Sequence, residues 1–216
     1  MYEWLTQFAQ ENFCVQLAET GMSEAEHLSL EKALGIPLPL SYKRFLHKWN
    51  GCDLNGDIVF SNAKLQKAVE EYGFRPFSGE LERTNGDNYL YKAKPAHCLP
   101  FCQLVLSADL YCFDTRPVVQ YEYSICRYDH EDGDIENLLR MRFPSFEAFL
   151  LFKTFHLTAD LEYFLTPDME ESDEEFARAE KRLEEWQYRL RLLLKERGAD
   201  FRDNEWWPTW QNWTYE

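Results

Sequence analysis

Apolar positions along residues 23–51 recur at helical spacing in two runs that prolines separate. The first run begins at Ser23 with Glu26 three residues later, which is the spacing of a capping box. It ends at Gly35, because glycine adopts the left-handed conformation of a helix end at little cost. Two prolines follow, and the second, Pro39, suits the first position of a new helix. The pattern predicts two helices joined by a short turn.

The second of these helices carries one apolar stripe at spacings of three, one and three residues, formed by Tyr42, Phe45, Leu46 and Trp49. The dipeptide Asn50-Gly51 ends the helix. These aromatic side chains also resemble the lining of a ligand site. Helical spacing favours a buried stripe, so we assign them to the fold.

The pattern of apolar residues elsewhere in the chain predicts the remaining helices and strands. We expect a first helix over residues 2–18 and a helix that begins after Ser61 and stops at Gly73. Apolar or alternating runs predict strands at 57–60, 89–91, 98–106, 110–114 and 121–126, with an edge segment near 135–142. Pro144 and Ser145 begin a closing helix. Because helices and strands do not alternate strictly, an α+β arrangement is favoured.

The C-terminal region predicts one long amphipathic helix over residues 173–197. A capping box opens it at Ser172, and Gly198 stops it. Its apolar seam has spacings of three and four and consists of Phe176, Ala179, Leu183, Trp186, Leu190 and Leu193. The seam either packs on the chain's own domain or joins two copies in a homodimer. We favour packing within one chain, because three heptads are too few to define a coiled coil.

Four tryptophans lie close together in the tail, at positions Trp206, Trp207, Trp210 and Trp213. If they were exposed, they would form an apolar patch too large for a monomer in water. We therefore expect them to dock on the domain, on a second copy or on another protein.

Three short motifs resemble the SUKH superfamily, which includes the Smi/Knr domains of fungal cell-wall regulators and many bacterial immunity proteins. The first motif combines Leu34-Gly35, Leu38-Pro39, Tyr42-Lys43-x-Phe45-Leu46 and Asn50-Gly51. The others are residues 97–101 with 111–114, and residues 143–150. The family often has a glycine-rich turn between its central strands, whereas residues 103–109 hold no glycine. The connection there is expected to differ locally.

The resemblance covers about residues 23–156 and implies a central, mostly antiparallel sheet packed with N-terminal helices and a closing helix. We divide the chain into an N-terminal helix (1–22), a SUKH-like domain (23–156) and a C-terminal extension (157–216). The extension holds an acidic linker, the amphipathic helix and the tryptophan-rich tail.

The number and placement of acidic residues indicate which kind of partner the protein can bind. The net charge is −15, and residues 129–136 and 160–175 contribute five and eight acids with no Lys or Arg. Such a chain repels phosphate backbones, which argues against nucleic-acid binding. An acidic surface instead speeds encounter with a basic protein. The simpler alternative is that the acids only keep an aromatic-rich protein soluble.

Localisation follows from what the sequence lacks. No apolar run is long enough to span a bilayer, and the first residues have no apolar core typical of a signal peptide. We therefore expect a cytoplasmic protein without membrane contact. The six cysteines form no CxxC motif, so most are expected to be reduced thiols in the core.

The sequence offers few residues in arrangements that suit catalysis or metal binding. We expect no catalytic residues, no metal site and no cofactor. No histidine has zinc-ligand spacing, and no phosphate-binding loop is present. The acidic cluster at 129–134 suits a hard cation, although a solvated turn explains it better. Cys98 and Cys102 beside His97 allow a thiol nucleophile, but their apolar neighbours favour buried core thiols.

The resemblance implies a non-catalytic immunity protein that binds and neutralises a cognate toxin, with a basic toxin domain as the expected partner. We assign the steering contacts to Asp129, Glu131, Asp132 and Asp134. An alternative is a housekeeping scaffold that docks partners through helix 173–197 and the four tail tryptophans. A third hypothesis is a metal-dependent enzyme at the 129–134 cluster.

Overall fold

The computed structural model describes residues 2–12, 14–76, 97–104, 109–119, 121–128, 142–164, 173–200 and 209–210. The chain divides into two compact units, Met1–Phe146 and Glu147–Glu216. Each unit is described by itself.

The first unit combines five helices with seven strands in its described part. The helices are α1 (Glu3–Glu11), α2 (Glu24–Leu34), α3 (Leu40–Lys48), α4 (Asn62–Gln66) and α5 (Ala68–Glu71). The strands are β1 (Val15–Leu17), β2 (Cys52–Leu54), β3 (Asp57–Val59), β4 (Cys98–Gln103), β5 (Leu110–Val119), β6 (Glu122–Tyr128) and β7 (Arg142–Phe143).

The seven strands form one sheet in their chain order, and each neighbouring pair is antiparallel. The register of β4 against β5 shifts between Pro100 and Cys102. Proline has no N–H to donate to the ladder, so a bulge is a natural place for it. An antiparallel sheet with N-terminal helices, and helices that follow it, confirms the predicted α+β class.

The helix pair α2–α3 confirms the prediction closely. The Ser23 side chain accepts from the N–H of Glu26, whose carboxylate accepts from the Ser23 N–H at 2.7 Å. Gly35 has φ 72°, and its N–H donates to the Glu31 carbonyl. Pro39 occupies the N-cap of α3 rather than its first helical position.

The core of the first unit lies between α3 and one face of the sheet. All four members of the predicted stripe on α3 are buried. The ring of Tyr42 lies 4.6 Å from that of Phe146, and Phe101 and Phe113 stack at 4.2 Å on the central strands. The Tyr42 hydroxyl donates to the carbonyl of Phe60 at 2.9 Å. The stripe is therefore part of the fold, as predicted, and not a ligand site.

The predicted first helix is too long. The helix α1 ends at Glu11, and Asn12 is extended, with its side-chain amide donating to the Phe8 carbonyl. Val15–Leu17 is instead an edge strand paired with β2. Since that pairing partner is distant in sequence, the tertiary structure overrides the local helical tendency here.

Residues 52–71 hold the hairpin of β2 and β3, followed by two short helices. The single helix predicted after Ser61 is two helices, α4 and α5, that meet at Lys67. Asn55 and Gly56 form the hairpin turn between β2 and β3, and both residues have positive φ. The Asp53 carboxylate accepts from the Gly56 N–H within this turn.

The helix α6 (Phe146–Phe164) begins at the last residue of the first unit and continues into the second. The second unit also holds α7 (Asp173–Glu196) and a strand pair, β8 (Ala199–Asp200) and β9 (Thr209–Trp210). Arg197 beyond α7 pairs with Glu147 on α6, with 2.9 Å between Nη2 and Oε1.

Three members of the predicted α7 seam are buried within a single chain, Leu183, Trp186 and Leu190, and Leu194 is buried as well. Ala179 is half-buried, and the side chain of Phe176 lies outside the described residues. The last buried position of the seam is Leu194 rather than Leu193, because the buried positions follow the 3.6-residue period of a straight helix. This burial favours the alternative in which the seam packs within one chain.

Several predictions fall on residues that the structure does not describe. They include the strand at 89–91, most of the edge segment 135–142 and the acidic linker that precedes α7.

Candidate functional site

The residues predicted to bind a partner lie almost entirely outside the described part of the chain. This applies to Asp129, Glu131, Asp132 and Asp134 and to Trp206, Trp207 and Trp213. Trp210 is described only through its backbone, which pairs with Ala199 in the β8–β9 ladder. Both predicted contact surfaces therefore stay predictions.

The described part presents a different surface, built on the outer side of α3. Because this helix buries one stripe, the positions between stripe members point away from the core. Leu40, Arg44, His47 and Lys48 are exposed and follow one another at helical spacing. Together with Tyr121 they form what we call the α3 surface.

The N-terminus of α3 is capped from the turn between β5 and β6. The N–H of Leu40 donates to the Tyr121 carbonyl at 3.0 Å. The Glu122 carboxylate accepts from the N–H and the hydroxyl of Ser41 at 2.7 and 2.6 Å. A carboxylate at this end also suits the helix dipole. Since Pro39 has no side-chain donor or acceptor, the turn supplies the cap that the helix itself lacks.

Tyr121 is held in an unusual conformation by the same turn. Its φ is 66°, in the left-handed region that a two-residue turn between the paired residues Val119 and Glu122 favours, although tyrosine seldom occupies it. The residue is 78% exposed. The neighbouring Leu40 is 39% exposed, which places an aliphatic side chain beside the turn that displays the tyrosine.

The other end of the α3 surface is a groove of about 510 Å³, lined by Tyr2, Glu3, Arg44, His47 and Lys48. The Lys48 ammonium donates to the Thr6 hydroxyl at 3.0 Å and lies 4.4 Å from the ring of Trp49. His47 Nδ1 lies 3.0 Å from the carbonyl of Met22, and a carbonyl only accepts, so this nitrogen carries the proton.

The charge of α3 is opposite to that of the whole chain. The helix has three cationic residues, Lys43, Arg44 and Lys48, and no acid. Lys43 is paired with Glu31 at 3.3 Å beside the helix. The net charge of the chain is −15, so the helix is locally cationic on an acidic protein, while the groove beside it also holds the acid Glu3.

The second face of the sheet holds a buried cluster of thiols and ionised groups. Cys98 and Cys126 have their sulfurs 3.9 Å apart, and the Asp114 carboxylate receives two hydrogen bonds from Arg116 at 2.9 and 2.6 Å. The His97 ring lies 3.7 Å from that same carboxylate. The hydrogen bond from Cys126 lowers the pKa of Cys98 to about 6 and raises that of Cys126.

This cluster does not form an accessible active site. Cys98 is 2% exposed, and all six cysteines are buried free thiols. A thiolate attacks a substrate only where the substrate can reach it. The structure thus confirms the interpretation of Cys98 and Cys102 as core thiols.

Within the described ranges, no three His, Cys, Asp or Glu side chains are arranged to hold an ion. The cluster at 129–134 lies outside those ranges. Among helices of the described residues, none has the length and apolar character needed to cross a bilayer.

The fold of the first unit is that of an α+β domain with one antiparallel sheet and N-terminal helices. The sequence model of the SMI1/KNR4 family (SUKH-1) matches residues 21–151, more than half of the chain, and the chain belongs to that family. Domains of this family typically bind proteins and are generally not enzymes. No individual curated protein matches the chain.

The α3 surface was not predicted, although the sequence carries a signal for it. The run LSYKRFLHK is cationic without an acid, and that was visible in the sequence. The exposure of Tyr121 could not be seen in the sequence, because Tyr121 continues the alternating pattern of β6 and so resembles a strand residue.

Proposed function

We propose that this protein is an immunity protein that binds and neutralises a cognate toxin without catalysing a reaction. The observation that supports the proposal is the match of the SMI1/KNR4 family to residues 21–151. The acidic segments give it a physical basis, because a toxin that acts on nucleic acids needs a basic cleft. An acidic immunity protein would be drawn to such a cleft and would cover it.

We assign the contact to Asp129, Glu131, Asp132 and Asp134, which are four acids within a segment of six residues. Replacing all four with Asn or Gln should slow association with the toxin and flatten its dependence on salt, while dissociation changes less. The test measures association rates by surface plasmon resonance between about 50 and 500 mM salt, across which the Debye length falls several-fold.

A matched control removes the same charge elsewhere. Glu70, Glu180, Glu184 and Glu185 are exposed acids in the described part, and their conversion to Gln lowers the net charge equally. If the control slows association as much as the loop variant, then only the net charge acts and the loop is not the contact.

The toxin itself is found by testing genes that neighbour this one in the host. Co-expression should restore growth of cells that produce the toxin, and the two purified proteins should form a stable complex. If every neighbouring candidate remains toxic and forms no complex, the immunity proposal is wrong.

A second candidate function is a scaffold that docks partners through α7 and the tryptophan-rich tail. It is favoured by two exposed apolar residues one turn apart on α7, Tyr188 at 68% and Leu192 at 44%. Replacing both with Ser leaves the buried seam intact, so the fold is kept. A scaffold loses its partner in this variant, whereas toxin capture by residues 129–134 is unaffected.

A further inference from the structure

The outer side of α7 carries two exposed apolar side chains, Tyr188 at 68% and Leu192 at 44%. At 3.6 residues per turn, each lies about 160° around the helix axis from the buried Leu190. They form a pair one turn apart on the side opposite the buried seam, which we call the α7 outer pair. A contact between such neighbours supports the helix itself, but it leaves the outer surface of both side chains in water.

The strand β9 directs the tail of the chain to the same helix. Gly198 follows α7 with φ 84°, and the next residue, Ala199, lies opposite Trp210 in the β8–β9 pair. Because the two strands are antiparallel, the chain leaves Trp210 in the direction of Gly198. The residues after Trp210 therefore start beside the C-terminal end of α7.

The sequence that follows β9 has one apolar face when it is extended. Residues 212–216 read NWTYE, in which polar and aromatic residues alternate. In an extended segment this period of two places Trp213 and Tyr215 on one face, about 7 Å apart. Tyr188 and Leu192 are about 6 Å apart along the axis of α7. The two pairs of side chains thus match in spacing.

The tail is also long enough to bring these pairs together. Leu192 lies six residues before Gly198, which corresponds to roughly 9 Å along the helix axis. Trp213 lies three residues after Trp210, which corresponds to roughly 10 Å of extended chain. Trp213 therefore reaches the level of Leu192, and Tyr215 reaches the turn that precedes it.

We propose that residues 211–216 dock on the α7 outer pair of the same chain, with Trp213 over Leu192 and Tyr215 over Tyr188. The polar side chains of Asn212 and Thr214 then face the solvent. The docked tail closes the outer side of α7, so another protein reaches that side only by displacing the tail. The contact is therefore autoinhibitory toward any partner that uses the outer side of α7.

A segment of the same chain is favoured over a second copy or a separate protein as the occupant. A specific interface between two proteins buries about 1,200–2,000 Å², and two side chains offer far less. Association also costs translational and rotational freedom. A tail held a few residues away by β9 avoids most of that cost, because its effective concentration at α7 is high. The docking itself rests on neither proposed function, whereas competition with a partner concerns the scaffold function alone.

The direct test is an NMR measurement on the full chain with ¹³C-labelled leucine methyl groups. The Leu192 methyl signals are identified by their loss in Leu192→Ala. They should show NOEs to the indole protons of Trp213, and the absence of these NOEs overturns the proposal. A mixture of labelled and unlabelled chains tests a second copy as the occupant. NOEs that arise between chains in this mixture overturn the proposal in favour of self-association.

Substitutions on the two faces of the tail give a matched comparison in the same experiment. Trp213→Ser/Tyr215→Ser removes the aromatic face, and it should shift the Leu192 methyl signals because the ring beside them is lost. Asn212→Ala/Thr214→Ala changes the opposite face of the same segment and should leave those signals in place. Equal shifts in both variants, or none in either, overturn the assignment of the contact to the aromatic face.

Chymotrypsin then measures how much of the tail is docked in solution. Cleavage after Trp213 requires an undocked tail, so its initial rate follows the undocked fraction. In Tyr188→Ser/Leu192→Ser this rate should rise by at least about fivefold, the change expected when roughly four fifths of the tails are docked. Mass spectrometry of the product that lacks residues 214–216 gives the rate.

The control for this measurement is Glu180→Ser/Glu184→Ser, an exposed pair with the same spacing on the same helix. Both pairs are exposed and the buried seam is untouched, so both variants should keep the fold. The control should be cleaved within about twofold of the wild-type rate, the scale of a surface change. Equal acceleration in the two variants, or an unchanged rate in Tyr188→Ser/Leu192→Ser, shows that the outer pair does not hold the tail and overturns the proposal.

Discussion

At the scale of single residues, His27 is the most completely buried of the described histidines, with 1% of its surface exposed. Neither ring nitrogen has a hydrogen-bond partner among the described residues, and Nδ1 lies 3.7 Å from Glu24. Burial lowers the pKa of His27. Lys43 and His47 act in the same direction, and Glu24 opposes them. The neutral imidazole is therefore the form that fits the fold.

This burial predicts a dependence of stability on pH. In the unfolded chain His27 takes up a proton near pH 6.5, whereas in the fold it resists protonation to a lower pH. Stability is thus complete above pH 6.5 and is lost as the pH falls from there toward the folded pKa. Urea unfolding of wild type and His27→Leu at pH 7.5 and 5.5 measures the effect, and the variant should lose less stability on acidification.

The exposed His47→Gln is the control for this experiment. His47 also lowers the pKa of His27, so His47→Gln should keep most of the acid sensitivity of the wild type and lose a smaller part of it than His27→Leu does. If His27→Leu keeps that sensitivity as well, then His27 is not its source. The carboxylates of the chain contribute to acid unfolding at lower pH, so the variants are compared at pH 5.5 and above.

The thiols give a second prediction for single residues. All six cysteines are buried, although the pKa of Cys98 is lowered to about 6. Access and not ionisation should therefore control their reactivity. The native protein at pH 7.5 should react slowly with DTNB, and all six thiols should react in guanidinium chloride. Fast reaction of one thiol in the native state would show that the Cys98 cluster is open to solvent.

At the scale of elements, α3 depends on a cap that comes from another part of the chain. Glu122 lies 81 residues beyond Ser41 and accepts both of its donors. Glu122→Ala leaves the Ser41 N–H without this acceptor, and the loss of a helix cap costs about 0.5–2 kcal/mol. Urea unfolding should show this decrease. The exposed Glu185→Ala on α7 serves as the control and should change stability by less than about 0.5 kcal/mol.

The same elements show what sequence patterns can predict. The capping box at Ser23, the stop at Gly35 and the stripe on α3 were predicted because their partners lie within a few residues. The strand β1 was predicted as helix because its pairing with β2 is set by residues about 37 positions away. The cap from Glu122 was missed for the same reason. Local contacts are visible in a sequence, whereas distant pairings are not.

The candidate site follows the same rule. The cationic run of α3 is a local feature and can be seen in the sequence. The left-handed φ of Tyr121 instead depends on a turn that packs on a distant helix. The predicted contacts at 129–134 and in the tryptophan-rich tail rest on composition alone and stay predictions.

At the scale of the whole molecule, the open question about α7 is whether it serves one chain or joins two. Trp186 is 3% exposed in a single chain, whereas Tyr188 on the same helix is 68% exposed. A seam that is already covered has no apolar surface left to offer a second copy. The prediction is therefore that α7 stabilises the fold of the monomer and that its seam does not drive dimerisation.

Two matched variants test this prediction. Trp186→Ala removes a buried ring and should lower the unfolding free energy by about 3–5 kcal/mol, while Tyr188→Ala should cost less than about 0.5 kcal/mol. Urea unfolding measures both, and light scattering after gel filtration measures the mass of each protein. If the seam joined two copies, the wild type would elute as a dimer and Trp186→Ala as a monomer. An unchanged monomeric mass with a large loss of stability instead assigns the seam to the fold, and it leaves Tyr188 and Leu192 as the side of α7 available to a partner.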